Sequence, residues 1–270
     1  MKKSDKLLSL LLIAALLGCS TSCKKANPIP VMDFQEKVEW KSPDPAVGQK
    51  PKILFVGNSH TYYNNLSTMF VNIVDASGHK CSVRELSSGY YTLKQFADTE
   101  NQGGKLLDKT LTEQSWDFVI LQEHTTSSLS SVAEEEMYPP SRLLDEKIKK
   151  AGGQTAFLMT WTPKKGIKGQ KPEQVQSDIA GTYMTIAEEL NDLVIPAGFS
   201  FMRCSELYPD IELWDPDGQH PSLEGSYLAA CTIYAIIFQE SPENCSYTSD
   251  LDQELALKLQ SIAADTVLDK

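Results

Sequence analysis

Two short stretches carry side chains that could act on one another: Gly57-Asn58-Ser59-His60-Thr61 and Asp215-Pro216-Asp217-Gly218-Gln219-His220-Pro221-Ser222. A serine hydroxyl is a poor nucleophile until a base takes its proton. The usual base is an imidazole whose second nitrogen is held by a carboxylate. Of the four histidines, His220 suits this role best. Asp217 precedes it by three positions in a Pro- and Gly-containing loop, and a turn can bring the carboxylate onto one ring nitrogen while the other faces outward. Such a carboxylate fixes the tautomer and stabilises the imidazolium formed during catalysis. Ser222 is a natural N-cap for the helical run that follows it. Taken alone, the stretch reads first as an Asp/Pro/Gly turn that contains a histidine by chance. His60 adjoins Ser59, and because neighbouring side chains diverge it reads as a pocket wall. His124 follows an apolar run, where it lines a site or caps a loop. His79 follows Gly78 in a turn at the opposite end of the sheet and reads as a surface residue.

The elements that must position these groups alternate along the chain. Continuous apolar runs at Lys52–Val56 and Phe118–Leu121 suit strands buried on both faces. Cys81–Leu86, Thr155–Met159 and Leu193–Ile195 complete five expected strands. Helical spacing marks Leu66–Val74, closed by Gly78, then Leu106–Leu111 and Leu143–Lys150, the latter after a break at Pro139-Pro140. It marks also Val175–Leu190, Leu223–Phe238 and Leu251–Val267. This order predicts an α/β fold: a three-layer α/β/α sandwich on a mostly parallel five-stranded sheet of flavodoxin-like type. Ligands of such folds bind beyond the carboxyl ends of the strands, and Ser59, Gln122 and Thr160 each stand just past one.

The two stretches together resemble the GDSL/SGNH hydrolase superfamily, with its Gly-x-Ser block after the first strand and its Asp-x-x-His block near the C-terminus. The blocks here are Gly57-Asn58-Ser59 and Asp217-Gly218-Gln219-His220, and the resemblance covers about Lys52 to Phe238. It implies Ser59 as nucleophile, His220 as base and Asp217 as its support. It also implies an oxyanion hole made by the Ser59 N–H, a glycine of a second block and an asparagine of a third. Ser87-Ser88-Gly89-Tyr90 supplies Gly89, which reads equally well as a simple loop glycine. The third block departs from the pattern: where Gly-x-Asn-Asp is expected, the chain has Gln122-Glu123-His124-Thr125, so Gln122 becomes the candidate amide. Asn58 stands where the family often has Asp, a position that supports the local turn. The Gly-x-Ser-x-Gly elbow of the other large esterase fold is absent, because Thr61 occupies its second glycine.

Composition narrows the functional classes. Lys and Arg number 25 against 36 Asp and Glu, a formal charge of −11, which argues against a nucleic-acid partner. At the N-terminus, Lys2, Lys3 and Lys6 precede an apolar run from Leu7 to Leu17 that is too short to span a bilayer as a mature helix. It ends Leu16-Leu17-Gly18-Cys19, which resembles a bacterial lipoprotein signal. Residues 1–18 are therefore expected to be a signal peptide, with Cys19 lipidated, residues 19–50 a tether and 51–270 the catalytic domain. Membrane attachment is then through the lipid, on the periplasmic side or at the cell surface. Phe34 and Trp40 could dock part of the tether. The remaining cysteines, Cys23, Cys81, Cys204, Cys231 and Cys245, contain no C-x-x-C and assign neither a zinc site nor a pairing. Cys231, within an apolar helical run, reads as a small buried hydrophobe.

The resulting expectation is an exported serine esterase that needs no cofactor or metal and acts on short acyl groups, such as acetate on a carbohydrate. His60, Tyr62, Tyr90, His124 and Trp161 are candidate substrate contacts, since loop aromatics can stack on sugars or simply pack the loops. Two other classes stand beside it. One is a non-catalytic glycan-binding lipoprotein, favoured by the altered third block. The other is a metal-dependent phosphoesterase using His60, His124, Asp217 and His220 as ligands. Oligomeric state has no signature in the sequence.

Overall fold

The computed structural model describes residues 30–268. Five strands, β1 (Lys52–Gly57), β2 (Ser82–Ser87), β3 (Phe118–Leu121), β4 (Gln154–Leu158) and β5 (Leu193–Ile195), form one sheet in the order β2-β1-β3-β4-β5. Every pairing is parallel. Around it lie α1 (Ser59–Tyr62), α2 (Leu66–Ala76), α3 (Leu93–Ala97), α4 (Gln102–Glu113), α5 (Ser130–Glu136), α6 (Tyr138–Lys150), α7 (Pro172–Leu190), α8 (Ala197–Leu207), α9 (Leu223–Phe238) and α10 (Gln253–Val267).

The apolar runs lack polar alternation because helices cover both faces. Ile53 and Phe55 of β1 join one core with Phe70, Phe201 and Tyr227 of α2, α8 and α9. Leu54 and Val56 join the other with Leu107, Leu144 and Ile179 of α4, α6 and α7. Strand side chains alternate between faces, so one uninterrupted run fills two cores. Helix α9 is apolar all round and buries Tyr227 through Ile237, as expected of a helix wedged between the sheet and α10.

Some boundaries differ from the periodicity-based reading. Pro139 and Pro140 do not break a helix. They stand in the first turn of α6, which starts at Tyr138, where a missing N–H has no intrahelical acceptor to lose. Helices α3, α5 and α8 carry no clear apolar period in the sequence. Of the expected tether, residues 19–29 lie outside the described residues, as do the signal segment, Cys19 and Cys23. From residue 30 the arm is packed onto the domain rather than free of it. Phe34 is 5% exposed and meets Phe199 edge-on at 4.9 Å. The Arg203 guanidinium donates to the carbonyls of Phe34, Gln35 and Glu36, and Trp40 Nε1 donates to Thr266 O at 2.9 Å. The arm then runs under the starting ends of the strands, where Asp117 accepts from Val47 N and Lys52 N.

The chain places β2 on one side of β1 and all later strands on the other, so the switch point lies between β1 and β3. That crevice, at the carboxyl ends, is where such sheets hold ligands.

Candidate active site

Ser59 begins α1 directly beyond β1, and the approach is held by a tight contact with β3. A Cβ on Gly57 would stand 2.3 Å from Thr61 Oγ1 and 2.5 Å from Gln122 Oε1, closer than any side chain allows, so the glycine is required here. Gln122 Oε1 accepts from Asn58 N at 2.8 Å and from Thr61 Oγ1 at 2.9 Å. The Asn58 side chain caps α1 through His60 N and donates to Tyr91 O at 2.8 Å. One buried amide and one buried cap thus lock the serine's turn to both neighbouring strands' loops. As the first residue of α1, Ser59 has an N–H without an intrahelical acceptor.

Across the crevice, His220 Nε2 lies 2.9 Å from Ser59 Oγ, although the residues are 161 positions apart. His220 Nδ1 lies 2.5 Å from Asp217 Oδ2. A carboxylate can only accept, so Nδ1 carries the hydrogen and Nε2 is left to receive the one on Ser59. The other Asp217 oxygen accepts from Gln219 N at 2.8 Å and His220 N at 2.9 Å. Partial burial pushes this carboxyl up, but the His220 ring and these two N–H groups outweigh it and hold the group down at about 2. It is therefore ionised at neutral pH.

The loop holding both groups is closed on itself. Gly218 N donates to Asp215 O and Asp215 N to His220 O, with Gly218 at φ +69° completing the turn. Ser222 caps α9 by accepting from Gly225 N at 3.0 Å. Outside support comes from Trp161, whose Nε1 donates to Gln219 O at 3.1 Å, and from Lys164 N, which donates to Gly218 O.

The other candidates divide. Gln122 is not placed to serve an oxyanion: its oxygen faces Asn58 and Thr61, its Nε2 donates to Glu123 O at 2.6 Å, and it is 1% exposed. The longer side chain reaches back under the nucleophile's turn instead of toward an incoming acyl group. Trp161 is likewise no substrate contact. It is 1% exposed and stacked on Phe201 at 4.2 Å and 4°, with its N–H spent on the His220 loop. Gly89 stands in the loop after β2, where Ser88 N donates to Gly57 O at 3.2 Å, beside the Ser59 turn. The Tyr62 hydroxyl comes within 3.4 Å of where a Gly89 side chain would start. Tyr62 and Tyr90 are exposed. His79 lies away from this end and pairs with Glu240.

A cleft of about 690 Å³ opens beside the Asp217–Gln219 turn, lined by His60, His124, Ile167 and Trp214 among others. Burial, then the nearby His220 and His124, press the His60 imidazole down to about 4, so it is a neutral wall at neutral pH. His124 is half-buried, with Nδ1 3.0 Å from Thr126 Oγ1, and burial lowers its pKa. Among the described residues, no group of three or more His, Cys, Asp or Glu is arranged to hold a metal ion. That removes the geometric basis for the ligand set His60, His124, Asp217 and His220. Cys81, Cys204, Cys231 and Cys245 are buried free thiols.

Glu123, which sequence reasoning treated only as part of a block, is fully buried. Its oxygens accept from His124 N at 2.5 Å and Leu93 N at 3.1 Å, tying the β3 loop to the start of α3. Burial drives its carboxyl up to about 8 despite these two bonds. The unfolded chain ionises such a group near 4.3. Between these values the folded state holds the extra proton, so stability is full below the unfolded value and declines as pH rises through about 8. Over that span the loss is on the order of 3–5 kcal/mol. Glu123→Gln, neutral throughout, is expected to flatten the dependence: urea midpoints at pH 5 and pH 9 should differ much less than in the parent. Equal differences in the two proteins would contradict this assignment.

Comparison with known proteins then gives the architecture a context. No family model matches the chain, and no curated protein matches it. Solved structures do. A candidate SGNH hydrolase from Slackia heliotrinireducens is 26% identical with a TM-score of 0.61, over 69% of this chain and 98% of that one. An acetylxylan esterase from Geobacillus stearothermophilus is 14% identical with a TM-score of 0.56, over 76% and 98%. A psychrotrophic esterase from Pseudoalteromonas sp. is 18% identical with a TM-score of 0.52, over 70% and 98%. The fold of this chain is the α/β/α fold of the SGNH/GDSL hydrolases, and the solved structures that share it are described as an SGNH hydrolase, an acetylxylan esterase and an esterase.

Proposed function

We propose that the chain is a serine esterase acting on short acyl esters, O-acetyl groups on carbohydrate among them. The observation that carries this reading is the continuous relay from Ser59 Oγ through the His220 ring to Asp217, at 2.9 and 2.5 Å. Ser59 Oγ attacks the acyl carbonyl carbon while its proton passes to His220 Nε2. The ester C–O bond then breaks, and the alcohol leaves with that proton. Water adds to the acyl-enzyme, gives its own proton to His220, and the acid departs as Ser59 regains its hydrogen. Asp217 stays ionised and orients the ring throughout. The Ser59 N–H, with Gly89 beside it, is the proposed site for the developing oxyanion.

The cleft supports a polar alcohol portion. It is open to solvent and lined by His60, His124, Lys164, Glu212 and Asp217 together with Ile167 and Trp214, and Tyr62 and Tyr90, outside that lining, are exposed. The Lys2–Cys19 segment further supports export and attachment through a lipid on Cys19. The test is an acyl-chain series of aryl esters together with an acetylated xylo-oligosaccharide. Acetyl transfer to water should exceed that of a decanoyl ester by at least about tenfold. Binding of the acetylated sugar with no ester hydrolysis at all would overturn this reading in favour of a non-catalytic glycan-binding protein.

A further inference from the structure

The Ser59 helix does not run directly into α2. Between them Tyr63–Asn65 forms a single 3-10 turn in which Asn64 and Asn65 take positive φ values of 50° and 53°. Non-glycine residues seldom adopt this conformation, and asparagine tolerates it best. The turn throws two consecutive side chains across the crevice onto the His220 loop. Asn64 Nδ2 lies 3.0 Å from Pro221 O, 3.0 Å from Ser222 O and 2.9 Å from Ser226 Oγ. The Tyr63 ring lies on the His220 imidazole with centroids 4.1 Å apart and planes 10° from parallel.

We propose that Tyr63 is a positioning residue for the base: its ring holds the His220 imidazole in line with Ser59 Oγ and favours the imidazolium that forms when the serine loses its proton. This rests on the esterase reading given above. Two physical effects act together. A parallel ring on one face of the imidazole opposes its rotation about the Cβ–Cγ bond, leaving Nε2 directed at the hydroxyl. An aromatic face also attracts a cation that develops over it, so the stacked pair gains strength as the reaction proceeds, which is what a transition-state contribution requires. Asn64 fixes the loop backbone on the same side, so ring and base keep their register.

Asp217 is bonded to the His220 ring, Asp215 N donates to His220 O, and the His60 ring on α1 lies 5.6 Å from the imidazole, centroid to centroid. His124 acts on His60, Asp215 and Tyr62 act on Tyr63, and Lys164, whose N–H donates to Gly218 O, pairs with Glu212. None of them is altered by an exchange at Tyr63. The Tyr63 hydroxyl has no hydrogen-bond partner among the described residues, so Tyr63→Phe keeps the stacked face and Tyr63→Leu removes it.

The experiment measures kcat/KM against pH for the parent, Tyr63→Phe and Tyr63→Leu, and follows the His220 ring protons by NMR across the same pH range. Tyr63→Phe should match the parent. Tyr63→Leu should lower kcat/KM about tenfold and move both the acidic limb and the NMR midpoint to lower pH by about half a unit or more, since the imidazolium loses its partner. Tyr63→Met serves as a second aliphatic variant should the leucine protein not fold. A Leu or Met variant that folds and titrates His220 as the Phe variant does would overturn the proposal. The NMR arm needs no turnover, so a parent without esterase activity refutes the functional reading while the ring's effect on His220 is still judged.

Discussion

Ser59→Ala is expected to lower kcat for a short-chain aryl ester by about four to six orders of magnitude, with no comparable loss of stability. The two expectations separate because of where the hydroxyl sits. Its hydrogen bond runs to His220 Nε2, while the turn around it is held by Gln122, Asn58 and Thr61. Alanine therefore removes the reacting oxygen and leaves the scaffold intact, and a helix start accepts it readily. His220→Ala should cost about as much, and the double variant little more than either, because nucleophile and base act as one unit. Steady-state rates with a thermal melt for each variant check all three. Independent, multiplicative losses would show that the two residues do not act together.

Asp217→Asn should lower kcat by about 10⁴-fold without altering the loop. The amide oxygen can keep the bonds from Gln219 N and His220 N that Asp217 Oδ1 accepts. The amide nitrogen then faces His220 Nδ1, so that nitrogen must accept and the hydrogen moves to Nε2. An Nε2–H pointing at Ser59 Oγ cannot take a proton from it. The loss is one of tautomer rather than of structure. The pH-rate profile offers a check in the parent: Asp217 is held at about 2, so its own protonation is not expected to account for a fall in rate on acidification above that value. A variant as fast as the parent would remove Asp217 from the mechanism.

How much of this was legible beforehand follows from the kind of information each feature uses. Strands β3 and β5 and helix α9 coincide with their sequence-based bounds, since runs such as Phe118–Leu121 and Leu223–Phe238 must be buried on every side whatever their partners. Asp217 and His220 are three residues apart, so a local turn decides their contact and the sequence could suggest it. Gln122 and Trp161 take supporting places in the fold for a different reason. Each stands at the end of a strand, where substrate contacts are expected. Which way each faces is set by distant partners: Asn58 and Thr61 for the amide, Phe201 and Gln219 for the indole. Tyr63 and Asn64 have no motif of their own. Their meaning appears only once α1 and the α9 entry lie side by side.

One chemical experiment addresses the relay most directly. The protein is incubated with a fluorophosphonate, which phosphonylates a serine only where a base has activated it, and the adduct is mapped by peptide mass spectrometry. The structure predicts a single adduct on Ser59, formed in the parent and lost in His220→Ala. No adduct in the folded parent, or one at another residue that persists without His220, would contradict the claim that these groups form a working nucleophile.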